Sequence, residues 1–165
     1  MSASEQTPPS APAARLENIT VGDVMHPAFV DCQPQSSMRT VARLMADSDV
    51  HSVIVDGIAR RGGSSERLTW GLISDFDLAA ALAAGRLDDA VVDFAAAEPV
   101  SVSPREGLRE AARIMASHHC SHLIVTDEDT RRPVGVISAK DLARAIAWGA
   151  RPTNRPASGC LPAPA

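Results

Sequence analysis

The stretch Gly71-Leu72-Ile73-Ser74-Asp75-Phe76-Asp77-Leu78 decides the fold, because it returns as Gly135-Val136-Ile137-Ser138-Ala139-Lys140-Asp141-Leu142. Upstream, Val41-Ala42-Arg43-Leu44-Met45-Ala46 followed by Ser52-Val53-Ile54-Val55 returns as Ala111-Ala112-Arg113-Ile114-Met115-Ala116 followed by His122-Leu123-Ile124-Val125. The upstream copies lie 70 positions apart and the downstream copies 64, so the first repeat carries six extra residues in between. Self-similarity of this length means one supersecondary unit used twice, each copy burying a face against the other. Any site should therefore occur twice, or once with a degenerate twin.

Working outward, each repeat reads β-α-β-β-α. Phe29-Val30-Asp31 predicts a short strand, and the spacing of Met38, Val41, Leu44 and Met45 a helix after Pro34. Val53-Ile54-Val55 is a buried strand, residues 60–67 have the composition of an exposed hairpin connection, and Leu68 to Ile73 return as a strand. A helix from Phe76 to Ala84 then stops at Gly85. In the second repeat Val100-Ser101-Val102 is the strand, and Ser103-Pro104-Arg105-Glu106 reads as a helix start with a Ser cap. The helix Leu108 to His118, strands Leu123 to Thr126 and Val134 to Ile137, and helix Lys140 to Ala147 complete it. Leu87 to Phe94 reads as a short linking helix equivalent to Ile19 to Met25. The expected organisation is a mobile Pro/Ala/Ser-rich tail over 1–15, repeats over 16–86 and 87–149, and a second such tail over 150–165.

Composition narrows the function. At 165 residues and 45% hydrophobic the chain can bury one core, and with five aromatic residues that core is aliphatic. A net charge of −4 argues against a nucleic-acid binder, which needs a basic stripe. No apolar run approaches the ~18 residues of a membrane span, and Met1 to Ala14 lack a signal-peptide layout. Cys32, Cys120 and Cys160 have no disulfide-framework spacing, so a cytoplasmic protein is expected. No Gly-x-Ser-x-Gly, phosphate-binding loop or paired-carboxylate site is present, and the cysteines lack an activating context; the expectation is no enzyme.

The twinned Gly-apolar-Ile-Ser-x-x-Asp supports two readings. Ser followed three residues later by an acid is a capping box that satisfies orphan helix amides. The same geometry offers an anion a helix N-terminus, and offers ribose hydroxyls a carboxylate. A second cluster, His118-His119-Cys120-Ser121-His122, collects possible zinc or copper ligands. It spans a helix end and a strand start, where histidine favours the helix dipole and Cys120 suits a small apolar role; metal binding is the minor reading.

The repeat, Asp23-Val24-Met25-His26-Pro27 and the two Ser-x-x-Asp segments together resemble a tandem cystathionine-β-synthase (CBS) domain pair, over about Ile19 to Ala147. That resemblance implies an α+β module of two repeats packed through their sheets, regulatory rather than catalytic, with no required cofactor. Its implied ligand is an adenosine compound (AMP, ADP, ATP or S-adenosylmethionine) bound between the repeats. By position, Asp77 and Asp141 would hold ribose hydroxyls, with Ser74 and Ser138 nearby. The adenine would lie against Phe29, Val30, Ser52 and Val53 in one site, and Val100, Ser101, His122 and Leu123 in the other; the apolar members have an ordinary core alternative. Lys140 precedes Asp141, whereas Phe76 and the acidic Asp75 precede Asp77, so phosphorylated adenosine is expected to prefer the Ser138/Asp141 site. The Ala- and Leu-rich final helices predict a homodimer, and occupancy would be signalled in trans to an unknown regulated protein. A ligand-free dimerisation scaffold is the alternative, with a metal or redox sensor at residues 118–122 a lesser one.

Overall fold

The computed structural model describes residues 16–62, 65–95 and 99–150, and the two terminal tails lie outside them. After a four-residue helix α1 (Val21–Val24), the first repeat runs β1 (Asp31–Cys32), α2 (Met38–Ser48), β2 (Ser52–Gly62), β3 (Ser65–Ser74) and α3 (Asp75–Ala83). A 3₁₀ turn, Val91–Asp93, stands where the linking helix was expected. The second repeat runs β4 (Ser101–Val102), α4 (Leu108–His118), β5 (His122–Thr126), β6 (Pro133–Ser138) and α5 (Ala139–Trp148).

Each repeat forms its own three-stranded sheet, β1-β2-β3 and β4-β5-β6, with the first pair parallel and the second antiparallel. The registers are equivalent: Ser52 faces Ser74 and Val53 faces Ile73, as His122 faces Ser138 and Leu123 faces Ile137. In the first repeat the hairpin is longer than the sequence suggests. Pairing continues to Arg60↔Arg67 and Gly62↔Ser65, so most of 60–67 is strand rather than loop. Gly57, at φ +75°, lies within the register shift between Val55 and Ile58, a conformation that glycine adopts without strain.

Period-two alternation distributes the strand residues between two layers. Val53 and Val55 join Met38, Val41 and Met45 beneath the first sheet, and Leu123 and Val125 join Leu108, Ala111 and Met115 beneath the second. Ile54 and Ile124, between them in sequence, instead meet each other and Val136 where the two sheets pack, flanked by Phe29, Trp70 and Leu72. Each such isoleucine is fully buried, worth about 1.5–3 kcal/mol apiece.

The repeats exchange their leading segments. Ile19, Val21 and Val24 pack in the core of the second repeat, while Leu87, Val91 and Val92 pack in that of the first. Val21 and Gly22 donate their amides to the carbonyls of Glu106 and Pro104 at 2.8 Å. Symmetrically, Val91 and Val92 donate to Ser36 and Pro34 at 2.8 and 3.1 Å. α4 keeps the expected bounds, Leu108 to His118, but its cap is Gly107 and not Ser103: residues 104–106 form a turn whose carbonyls serve the crossing segment. Beyond α1, His26 bridges Val136 in both directions, at 2.9 and 3.0 Å. A Cβ on Gly135 would lie 2.5 Å from the His26 carbonyl oxygen, so the crossing requires glycine there.

Candidate functional site

Both Ser-x-x-Asp segments form the expected strand-to-helix junction. At α3 the Ser74 amide and hydroxyl donate to Asp77 Oδ2 at 2.8 and 2.7 Å, and the Asp77 amide returns a 3.4 Å bond to Ser74 Oγ. At α5 the same three bonds join Ser138 and Asp141 at 2.9, 2.6 and 3.3 Å. The capping boxes are real and identical. The carboxylates differ in their other oxygen. Asp141 Oδ1 accepts from His26 Nε2 at 3.1 Å and lies 3.6 Å from Arg144 Nη1, and Asp141 is only 1% exposed. Burial alone would raise its carboxyl, but the bonds from His26 and Ser138 hold it below the ordinary carboxylate value.

Among the described residues, two clefts and a crevice lie between the repeats. A cleft of about 720 Å³ is lined by Ser74, Phe76 and Asp77 of the first repeat and by Val100, Met115, Cys120 and His122 of the second, with Phe94 beside them. One of about 120 Å³ is lined by Phe29, Val30 and Ser52 of the first repeat, by Ser138, Lys140, Asp141 and Arg144 of the second, and by His26. The crevice, about 250 Å³, lies between His51 and Asp75 on one side and Ser121, His122 and Lys140 on the other. His51 Nδ1 sits 3.5 Å from Asp75 Oδ2. Burial pushes His122 below the usual histidine value and His51 adds to this, against opposing pulls from Asp75, Asp141 and Asp77.

The structure brings together most of the residues singled out in the sequence, but crosswise. Val100 and His122 share a cleft with Asp77, and Phe29, Val30 and Ser52 share one with Asp141. Packing sheet against sheet sets the strand starts of one repeat opposite the helix start of the other. Three residues fall outside both clefts. Val53 and Leu123 are fully buried on the helix-facing side of their strands, and Ser101 is exposed and lines neither cleft. Lys140 does line the Asp141 cleft and Phe76 the Asp77 cleft, so the charge contrast stands. Space runs the other way: against the roughly 300–1,000 Å³ of ligand pockets, the Asp77 cleft holds about 720 Å³, whereas the Asp141 cleft holds about 120 Å³ and adjoins the 250 Å³ crevice, with which it shares His51, His122, Ser138 and Lys140. His26 and Arg144 were not singled out as site residues. Arg144 had a local signal, three residues beyond Asp141, whereas His26 stood in the Asp23–Pro27 motif, 115 positions away, with nothing in the sequence to join it to Asp141.

His118, His119, Cys120 and His122 lie where α4 turns into β5. Among the described residues no group of three or more His, Cys, Asp or Glu is arranged to hold an ion. His118 ends α4, His119 takes the left-handed cap conformation at φ 52°, and His122 enters β5, so the chain turns between them. Burial raises the Cys120 thiol above its ordinary value, which makes it a poorer ligand and nucleophile. No helix among the described residues is long and apolar enough to cross a membrane.

Two copies of one β-α-β-β-α unit, packed through their sheets with composite clefts at the seam, define a tandem-repeat pair. The CBS domain pattern matches the chain twice, over residues 21–84 and 91–147, and the chain belongs to that family. A CBS domain protein from Pyrobaculum aerophilum, solved with AMP, is 25% identical, with a TM-score of 0.64 over 78% of this chain and 95% of that one. A CBS domain pair solved with 5′-methylthioadenosine and S-adenosyl-L-methionine is 21% identical, with a TM-score of 0.64 over 78% of this chain and 96% of that one, and shares the fold. Among curated proteins, the homoserine O-acetyltransferase of Methanosalsum zhilinae is 30% identical over 133 residues, 79% of this chain. The chain spans only a quarter of that enzyme's length.

Proposed function

We propose that this protein is a non-catalytic regulatory module that binds an adenosine-type ligand (AMP, ADP, ATP or S-adenosylmethionine) between its repeats and signals occupancy to a partner in trans. The observation that carries the reading is the 720 Å³ cleft, walled by both repeats and floored by the Ser74/Asp77 junction. A ligand there touches both halves, so it favours whichever mutual packing fits it and shifts the population accordingly. The AMP complex of the 25% identical relative supports the ligand class. Asp77 would accept from the ribose hydroxyls, and Val100, Phe76 and Phe94 would offer apolar surface to the base. Phe94 already carries the Arg86 guanidinium 4.7 Å from its ring centre.

The reading includes a homodimer, since Leu82 on α3 and Ile146 and Trp148 on α5 are each more than 60% exposed. It also includes a reducing, cytoplasmic setting, in keeping with free thiols at Cys32 and Cys120. Thermal melting with AMP, ADP, ATP and S-adenosylmethionine tests it. A ligand at a hundred times its dissociation constant adds about 2.7 kcal/mol, or roughly 5–11 °C for a chain of this size. The shift should vanish in Asp77→Ala. A flat response to all four would leave the capping boxes as helix caps alone and favour the ligand-free scaffold.

A further inference from the structure

We propose that His26 is a built-in clasp that keeps the Asp141 cleft shut, so that the wild-type chain offers one adenosine site instead of two. The inference rests on the ligand reading above and specifies which of the twin sites is in use. Three observations carry it. The His26 Nε2–H donates to the oxygen of Asp141 that its capping box leaves over, at 3.1 Å, since an ionised carboxylate can only accept. Asp141 is 1% exposed, and the cleft around it holds about 120 Å³ against 720 Å³ at Asp77. The imidazole is carried on a rigid mount: the His26 backbone is bonded to Val136 in both directions and passes over Gly135 with no room for a Cβ.

The sequence of the first repeat offers no imidazole at the equivalent place. Repeat alignment places Ala95-Ala96-Ala97 opposite Met25-His26-Pro27, and an alanine at 96 has no side-chain donor to give Asp77. Among the described residues, Asp77 has no hydrogen bond beyond those of its capping box. The chain thus contains its own control, the same strand-to-helix junction with and without an imidazole bonded to its aspartate. A ribose at Asp141 must displace a charge-assisted bond that is already made. Its affinity is reduced by the fraction of chains in which the clasp is open.

Isothermal titration of the full chain with AMP, and separately with S-adenosylmethionine, tests this by counting sites per chain. Wild type should bind one equivalent, lost in Asp77→Ala. His26→Ala should bind two, its second site roughly ten- to a hundredfold tighter than in wild type. His26→Gln, which keeps a donor, should stay nearer to one. The double variant His26→Ala/Asp77→Ala should regain one equivalent. Two equivalents in wild type, or only one in a folded His26→Ala, overturns the clasp while leaving the ligand reading intact. No binding of either probe to wild type or His26→Ala overturns both. A readout without any variant guards against misfolding: at saturating probe the His26 imidazole resonances of wild type should stay in place, and their movement to a released position refutes the clasp.

Discussion

Gly135→Ala measures how tightly the exchanged N-terminal segment is built into the second repeat. The new Cβ would lie 2.5 Å from the His26 carbonyl oxygen and 3.0 Å from Met25 Sδ. The sulfur can swing aside, but the carbonyl cannot, because it accepts the Val136 amide at 3.0 Å. Relieving the overlap pushes His26 off β6. Overpacking of this kind costs about 1–3 kcal/mol, and a weakened backbone bond about 0.5–1.5 kcal/mol. The smaller unfolded-state entropy of alanine returns about 0.4–1 kcal/mol. The expected net loss is about 0.5–4 kcal/mol, or a fall in melting temperature of roughly 1–16 °C. Gly71→Ala is the paired control, since there the Cβ meets the flexible end of Ile58 at 2.6 Å and the Ala95 and Val55 Cβ atoms at 2.9 and 3.3 Å, with no hydrogen-bonded backbone atom among them. It should cost clearly less. Differential scanning calorimetry of the two variants decides: a Gly135→Ala protein that melts at or above wild type, or above Gly71→Ala, refutes the claim that the crossing demands glycine.

Two further outcomes follow from the same geometry. The His122 pKa is depressed in the folded chain, so its contribution to stability is fully present above about pH 6.5, the unfolded value, and is lost as pH falls, because the unfolded chain binds the proton more readily. Urea unfolding at pH 7 and pH 5.5 should show a smaller loss in His122→Gln than in wild type, and an equal loss would refute the assignment; Asp141, also depressed, acts in a separate window below about pH 4. Ile146→Glu, on the exposed face of α5, should convert the proposed dimer to monomer in sedimentation velocity with a stability change within about 0.5 kcal/mol; an unchanged sedimentation coefficient would place the dimer contact elsewhere.

The sequence by itself determined the β-α-β-β-α repeat, its duplication and the two Ser-x-x-Asp junctions, because each is written in local spacing: apolar residues at three and four in the helices, alternation in the strands, a cap and its acid three apart. It also set Lys140 beside Asp141 and Phe76 beside Asp77, since each pair is consecutive in the chain. Tertiary structure alone decided what those junctions face. Val53 and Leu123 read as site residues, but alternation turned them to the helix side and left Ser52 and His122 at the clefts. Sheet-to-sheet packing paired the strands of one repeat with the aspartate of the other, which no count along the chain reveals. The exchange of leading segments engaged the Pro104 and Glu106 carbonyls, so the cap of α4 falls at Gly107 instead of Ser103. It also brought His26 across 115 positions to Asp141, so two nearly identical motifs ended with one carboxylate clasped and its twin open to a cleft. Such differences depend on contacts between distant segments, and only the packed chain specifies them.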